Sequence, residues 1–213
     1  MILKADKIAG LLRVGTDDCT ADPLVITPSP DLEKLASSGA ASVDLRLGTW
    51  FSTLRQARVT CLSTEGQAPA RQVAKTNYVP FGGKYVLHPR SFVLAVTLEW
   101  IRVPSNLASY VVGKSSWGRW GLIIATATGV HPGFKGCLTL ELSNVGEIPI
   151  EIKPGMPVCQ LFIHEVDTGS ESVDRSAFVG MRQPLFSRIE LDELALRLSR
   201  VGRVGRAHDP SGS

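Results

Sequence analysis

The sequence predicts an antiparallel β-sandwich or β-barrel, and three features point to this fold class. Short runs of the strand type recur about every dozen residues from position 84 onward. Each run is bounded by Gly, Pro, Asn or Ser, and no helical pattern separates one run from the next. A doubly wound α/β fold would require helices between the strands and is therefore excluded. The predicted strands span residues 84–87, 91–97, 108–112, 122–126, 136–144, 148–152 and 158–164.

The N-terminal segment begins with a predicted helix. Residues 5–12 have the spacing of a short amphipathic helix, because Ile8, Leu11 and Leu12 fall on one side. Residues 22–31 contain three prolines, which favour an extended or looped conformation over a helix.

One further strand and one further helix complete the predicted elements. Residues 41–48 alternate small or polar with apolar residues and end in glycine, which is typical of a half-buried strand followed by a turn. Residues 63–76 are polar and predict an exposed loop or a ragged hairpin. Residues 191–201 have helical spacing. We therefore expect a single domain over residues 1–213, with 167–213 as a C-terminal extension and flexible tail.

Composition narrows the class of protein. The chain has 213 residues, of which 44% are hydrophobic and 20% are charged, as in ordinary globular domains. A net charge of +3 gives no indication of nucleic acid or an anionic membrane as a partner. No apolar run approaches the roughly 20 residues that span a bilayer, and the N-terminus carries charges where a signal peptide has an apolar core. The sequence thus predicts a cytoplasmic protein without membrane or nucleic-acid partners.

The cysteines predict neither a zinc site nor a disulfide framework. They are widely separated, and no Cys-x-x-Cys pair is present. In a reducing compartment we expect free thiols that behave as small hydrophobic residues, with a disulfide as the alternative. The four positions are Cys19, Cys61, Cys137 and Cys159.

A glycine-punctuated run at residues 113–121 combines two hydroxyls with two cations. Its glycines allow close approach of the backbone to a ligand, and its polar side chains can donate charge-assisted hydrogen bonds to phosphates. An arginine can bind a phosphate bidentately, whereas a lysine acts as a point charge. The alternative interpretation is an exposed turn with incidental charges. The polar side chains are Lys114, Ser115, Ser116 and Arg119.

Glu141 lies in the alternating strand 136–144. A period of two places Cys137, Thr139, Glu141 and Ser143 on one face, opposite the leucines of the core face. A carboxylate on a polar face that lines a cleft is suited to proton transfer. The alternative is a surface glutamate with no chemical role.

Several short pieces of the sequence form an ordered set over nearly the whole chain. They are Ala41-Ser42-Val43-Asp44-Leu45-Arg46-Leu47-Gly48, Leu87-His88-Pro89, Gly113-Lys114-Ser115-Ser116-Trp117-Gly118-Arg119, Pro132-Gly133-Phe134-Lys135-Gly136, Leu140-Glu141, Pro154-Gly155-Met156, Gln160-Leu161 and Ser187-Arg188. As a set they resemble the dCTP deaminase branch of the dUTPase-like superfamily. The resemblance implies a mainly-β fold, a distorted antiparallel β-barrel or jelly roll with short N-terminal and C-terminal helices. It also implies a homotrimer with active sites between subunits.

The resemblance further implies a zinc-independent deamination at C4 of a cytosine deoxynucleotide. Glu141 would be the general acid/base that activates water, and Ser115 and Arg119 would position that water. Mg²⁺ would accompany the triphosphate as a counter-charge, with no catalytic metal ion bound by the protein. The residues that would bind substrate are Lys114, Ser116, Thr126, Ala127, His131, Phe134 and Arg182.

The sequence departs from the family pattern where the nucleotide would be held. Lys114 stands where the family has Arg. His131 replaces an acidic residue, which in dUTPases and bifunctional relatives is the hydrolytic base. Residues 176–182 lack the Lys, Tyr and Gln side chains that close over the nucleotide in the family, and Arg182 would substitute in part.

The predicted function is therefore deamination of a cytosine deoxynucleotide, with dCTP giving dUTP and ammonia. Two alternatives remain open. One is a dUTPase-like nucleotide diphosphatase, and the other is a nucleotide-binding or regulatory module without turnover.

Overall fold

The chain divides into two units in the computed structural model. The first unit comprises residues 1–54 and 74–185, and the second comprises 55–73 and 186–213. The structure describes residues 1–14, 22–54, 73–124, 129–167, 180, 182–184, 186 and 193–194. The sheet and the candidate site belong to the first unit.

The described part of the chain contains helices and strands in the following order. The helices are α1 (Ala5–Val14), α2 (Leu32–Ser37) and α3 (Ser115–Gly118). The strands are β1 (Val25–Thr27), β2 (Val43–Leu54), β3 (Ala74–Tyr78), β4 (Tyr85–Leu87), β5 (Phe92–Arg102), β6 (Leu107–Gly113), β7 (Leu122–Ile124), β8 (Gly129–Val130), β9 (Lys135–Asn144), β10 (Ile150–Ile152) and β11 (Pro157–Glu165).

Nine of these strands form one sheet. Its order is β7-β9-β5-β2-β11-β6-β8, with β1 beside β5 and β3 beside β2, while β4 and β10 pair separately. All the pairings are antiparallel. The long strands β2 and β5 each have three partners, because different partners occupy successive parts of one edge. The predicted antiparallel arrangement is confirmed.

Alternation along the strands builds the core. On β9 the leucines Leu138, Leu140 and Leu142 are buried, while the residues between them are half-buried. Phe51 of β2 is fully buried, and Ile8 of α1 packs into the same cluster. Each such side chain contributes about 1.5–3 kcal/mol through removal of apolar surface from water. The predicted helix at residues 5–12 and the predicted face of β9 are both confirmed.

A β-bulge interrupts β5 between Val96 and Trp100, where its register with β9 shifts, while its register with β2 shifts between Leu47 and Phe51 of β2. The hydroxyl of Thr97 accepts a hydrogen bond from the Leu138 N–H at 2.9 Å and donates to the Glu99 carbonyl at 2.8 Å. A bulge leaves ladder groups unpaired, and here side chains of β5 replace the missing partners.

Some elements differ from the sequence-based expectations. The predicted strand at 41–48 continues to residue 54 as β2, and α2 was not predicted. Only residues 73–76 of the predicted loop or hairpin at 63–76 are described. They include the start of β3, which pairs with β2 as expected for a hairpin. The predicted helix at 191–201 lies outside the described residues except for Glu193 and Leu194, which are helical. No described helix has the length and apolar character needed to cross a membrane.

Candidate active site

Helix α3 presents the polar side chains of the run 113–121. Its backbone is tied to the sheet, because the Lys114 N–H donates to the Val158 carbonyl of β11 at 2.9 Å. Ser115, Ser116 and Arg119 are exposed, and their side chains make no hydrogen bond to any residue that the structure describes. These two hydroxyls and one guanidinium are therefore available to a ligand.

The segment after α3 contacts the end of β9. The Val145 N–H donates to the Gly121 carbonyl at 2.9 Å, and β7 begins directly afterwards with Leu122 opposite Asn144. Asn144 is fully buried, and its amide nitrogen donates to the carbonyls of Leu87 and Ile148, both at 2.9 Å. This network fixes the position of α3 relative to β9.

Gly121 cannot be replaced without displacing this junction. Its φ is +90°, and a Cβ added there would lie 2.8 Å from the Gly146 nitrogen. We expect Gly121→Ala to reduce the free energy of unfolding by about 2–3 kcal/mol, from left-handed strain together with the backbone contact. Gly118→Ala is the matched control, since an added Cβ there meets nothing within 4 Å. Urea denaturation checks both variants, and equal stability of the two would contradict the expectation.

Lys114 forms an ion pair with a residue of β2. Its Nζ lies 2.5 Å from Asp44 Oδ2, and Asp44 Oδ1 accepts a hydrogen bond from Gln160 Nε2 at 3.2 Å. The Lys114 side chain is 24% exposed. The cation at the start of α3 is thus held by two strands of the sheet.

Glu141 projects from β9 on the side opposite the leucine core. Its register partner on β5 is Leu94, and no hydrogen bond or ion pair joins the Glu141 carboxylate to another described residue. At about 3.4 Å per residue, Glu141 lies about 10 Å along the strand from Asn144, to which the α3 segment is joined. Within one chain, no hydrogen bond or ion pair joins Glu141 to Ser115 or Arg119.

The predicted base- and sugar-binding residues are distributed over other segments. His131 is exposed in the turn after β8, and Phe134 is half-buried against the core. This turn is fixed by hydrogen bonds from the Gly133 N–H to the Val103 carbonyl and from the Val103 N–H to the Phe134 carbonyl, both 2.9 Å. Thr126 and Ala127 lie outside the described residues.

Arg182 lies near the beginning of the polar face of β9. The Gly180 N–H donates to the Lys135 carbonyl at 2.5 Å, which places this short segment beside β9. Burial raises the pKa of the Cys137 thiol, and the charge of Arg182 opposes that effect. Arg182 is exposed and its charge acts on Cys137, on the polar face of β9.

A buried carboxylate was missed by the sequence analysis. Glu99, at the bulge of β5, is 1% exposed and binds Arg46 twice, at 2.8 Å through the backbone N–H and at 3.0 Å through Nη1. Burial raises the pKa of Glu99, although both hydrogen bonds from Arg46 act in the opposite direction. The signal in the sequence was a single acidic residue within the apolar run of β5.

Asp44 and Arg46 lie two residues apart on β2 but have different partners, since Asp44 binds Lys114 and Arg46 binds Glu99. Trp117 packs on the core and donates to the Pro157 carbonyl at 3.1 Å. Trp120 is 77% exposed.

The expectation of free, hydrophobic cysteines is confirmed for the two that are described. Cys159 is buried and Cys137 is half-buried, and neither forms a disulfide. Burial raises the pKa of Cys159 to about 12, so this thiol is neutral at physiological pH. Cys19 and Cys61 lie outside the described residues. Among the residues that are described, no group of three or more His, Cys, Asp or Glu side chains is arranged to hold a metal ion.

The fold has counterparts among solved structures. The 2'-deoxycytidine 5'-triphosphate deaminase from Agrobacterium tumefaciens aligns with a TM-score of 0.55 over 76% of this chain, at 20% sequence identity. The chain spans 47% of the length of that protein. At this identity the match supports the fold alone, and it confirms the mainly-β fold of the dUTPase-like type that was predicted.

Sequence comparisons define the family. A family model described as dCTP deaminase-like matches residues 16–166. The dUMP-forming dCTP deaminase of Methanobrevibacter smithii is 34% identical over 175 residues, which are 79% of this chain and 89% of the relative. The dCTP deaminase of Halorubrum lacusprofundi is 39% identical over 175 residues, covering 79% of this chain and 85% of the relative.

The chain therefore belongs to the dCTP deaminase-like family. Its named relatives are hydrolases that act on C–N bonds, so the prediction of an enzyme of this class is confirmed.

Proposed function

We propose that the protein deaminates dCTP to dUTP and ammonia. The observation that carries this proposal is the polar face of β9, where Glu141 projects away from the leucine core and its carboxylate forms no hydrogen bond or ion pair with a described residue. Family membership supports the substrate class, because both relatives described above are named for dCTP.

Glu141 acts as general base and then as general acid in the proposed mechanism. It accepts a proton from a water molecule, and the resulting hydroxide attacks C4 of cytosine. It then donates the proton to the exocyclic amine, and the C4–N bond breaks to release ammonia. Ser115 and Arg119 orient the water and stabilise the developing charge, because both side chains are exposed and lack other partners within the described chain.

The triphosphate binds near α3 in this proposal. Lys114 and Ser116 contact the phosphates, while Thr126, Ala127, His131 and Phe134 hold the base and sugar. Arg182 supplies part of the charge over the ligand that the family obtains from other side chains. Mg²⁺ would accompany the nucleotide and supply a counter-charge to its phosphates.

A homotrimer completes the site. Neither Ser115 nor Arg119 forms a hydrogen bond or ion pair with Glu141 within one chain, and we propose that these residues meet across the interface between neighbouring subunits. The proposed single domain over residues 1–213 would be the unit that trimerises.

Mixing two inactive variants tests the shared site. Glu141→Gln and Ser115→Ala are each expected to be inactive, but co-refolded hybrids are expected to regain activity. Random assortment gives intact residues to about a quarter of the shared sites. A steady-state assay of the purified hybrids measures the recovery. If each site lay within a single chain, the mixture would remain as inactive as its components.

The identity of the product distinguishes this proposal from a second candidate. Several relatives are named dUMP-forming, which favours deamination followed by loss of pyrophosphate. His131 supports dUTP as the product here, because the acidic residue that acts as hydrolytic base in bifunctional relatives is replaced. A neutral imidazole retains some capacity as a base.

Product analysis tests the proposed function. The protein is incubated with dCTP and Mg²⁺, and ammonia, dUTP, dUMP and pyrophosphate are quantified. Equal amounts of ammonia and dUTP are expected. Ammonia with dUMP would support the second candidate, whereas dCMP and pyrophosphate without ammonia would identify a diphosphatase. No conversion of dCTP, dCMP, CTP or modified cytosine nucleotides would support a binding module.

A further inference from the structure

The two cations that flank α3 are held differently. The Lys114 ammonium is 2.5 Å from Asp44 Oδ2, and Asp44 is in turn bound by Gln160. The Arg119 guanidinium makes no hydrogen bond to a described residue. An ion pair therefore fixes one cation of the turn in advance of any ligand.

We propose that Asp44 is a positioning residue that holds the Lys114 ammonium for the phosphate groups of the nucleotide. This inference rests on the proposed function, because it requires a nucleotide whose phosphates lie at α3. It assigns to Asp44 an effect on binding that is exerted through Lys114.

The chemistry of lysine explains why such a partner is needed. A lysine side chain is a flexible stem that ends in a point charge, so a free ammonium loses conformational freedom when it binds a phosphate. An ammonium has three donors, and one bond to Asp44 leaves two for a ligand. Lys114 is 24% exposed, so the bound ammonium remains accessible to solvent.

Asp44 is well placed to fix this charge. It lies on β2 opposite Gln160 of β11 in the antiparallel register, and the Gln160 side chain holds its second oxygen. The acceptor is thus part of a paired region of the sheet, where its position is set by both strands. Its negative charge is compensated by Lys114 itself, which limits the repulsion that a phosphate would meet.

Attachment of α3 to the sheet does not require this ion pair. The Lys114 N–H donates to the Val158 carbonyl at 2.9 Å, and Trp117 Nε1 donates to the Pro157 carbonyl at 3.1 Å. These two bonds join the short helix to β11 without the Lys114 side chain. The Lys114–Asp44 ion pair is therefore not needed to attach α3 to β11, and a role in ligand binding explains it.

A double-mutant cycle tests the inference. Asp44→Asn, Lys114→Met and the double variant are made in the Glu141→Gln background, and dCTP binding with Mg²⁺ is measured by calorimetry. Asp44→Asn is expected to weaken dCTP binding about tenfold, equal to about 1.4 kcal/mol. The double variant is expected to bind no more weakly than Lys114→Met alone. With Glu141 intact, Asp44→Asn is expected to raise KM for dCTP and leave kcat within about twofold.

Two controls separate positioning from a structural effect. Glu151→Gln removes another carboxylate that pairs with lysines, at 2.8 Å from Lys84 and 3.0 Å from Lys153, and it should leave dCTP binding unchanged. Binding of deoxycytidine, which lacks phosphates, should be the same in the Asp44→Asn variant and its parent.

Three results would overturn the inference: unchanged or tighter dCTP binding by Asp44→Asn, additive losses in the double variant, or an equal loss of deoxycytidine binding. The proposed function has its own test, which is whether the wild-type chain deaminates dCTP. Binding of dCTP without deamination would overturn the proposed function alone, whereas absence of dCTP binding by the parent would overturn both.

Discussion

Glu141→Gln is expected to lower kcat for dCTP deamination by about 10³-fold or more. Glutamine keeps the size of the side chain but cannot accept the proton of the attacking water, and general acid–base catalysis contributes about 10²–10⁴-fold. Because Glu141 binds no described residue, its replacement should leave the fold and the melting temperature unchanged. Ammonia release under saturating dCTP, with calorimetric dCTP binding in parallel, measures the two effects separately.

Glu147→Gln provides the matched control for this prediction. Glu147 is exposed in the turn that follows β9, six residues after Glu141. Its replacement by glutamine removes the same charge as Glu141→Gln. This variant should retain wild-type kcat. Retention of full activity by Glu141→Gln, or equal losses in both variants, would remove Glu141 from the proposed mechanism.

Glu99→Ala is expected to reduce the free energy of unfolding by about 3 kcal/mol. The substitution leaves the Arg46 N–H and guanidinium without the carboxylate that both bind. Breaking a buried pair costs about 3–5 kcal/mol, and the lower end applies because Arg46 is 42% exposed. A loss of this size lowers the melting temperature by about 6–12 °C in a chain of this length. Thermal and urea denaturation measure the change.

Glu99→Gln separates hydrogen bonding from charge. An amide oxygen still accepts from the Arg46 N–H, so this variant should lose only about 1 kcal/mol. If Glu99→Gln lost as much free energy of unfolding as Glu99→Ala, the stabilisation would come from the charge of Glu99.

The pH dependence of Glu99 has a defined sign. Burial raises the pKa of Glu99 in the folded state, so the folded chain holds this proton at pH values where the unfolded chain has lost it. The stability contributed by protonated Glu99 is therefore complete below the usual carboxyl pKa and is lost as pH rises through the raised value. The stability of the wild type relative to Glu99→Gln should accordingly fall across that range.

Local patterns in the sequence were sufficient for much of the fold. The period of two over β9 placed Glu141 opposite Leu140, because side-chain direction in a strand depends only on position along it. The glycines and hydroxyls of residues 113–121 correctly marked an exposed polar segment, although the single turn of α3 within it was not predicted.

Contacts between strands could not be obtained from these patterns. Asp44 and Arg46 lie two residues apart, but their partners come from positions 70 and 53 residues away. The position of Glu99 depends on a bulge that shifts the register of β5 with β9 between Val96 and Trp100. Register is a property of a pair of strands, so the sequence of one strand alone does not predict it.

The reaction in water enriched in heavy oxygen tests the central claim most directly. The protein is incubated with dCTP and Mg²⁺ in this solvent, and mass spectrometry locates the label in the product. Attack of water at C4 predicts dUTP with one heavy oxygen on the uracil ring and an unlabelled triphosphate. Label found only in phosphate, with the cytosine amine retained, would contradict deamination. It would show that the protein hydrolyses the triphosphate of its nucleotide.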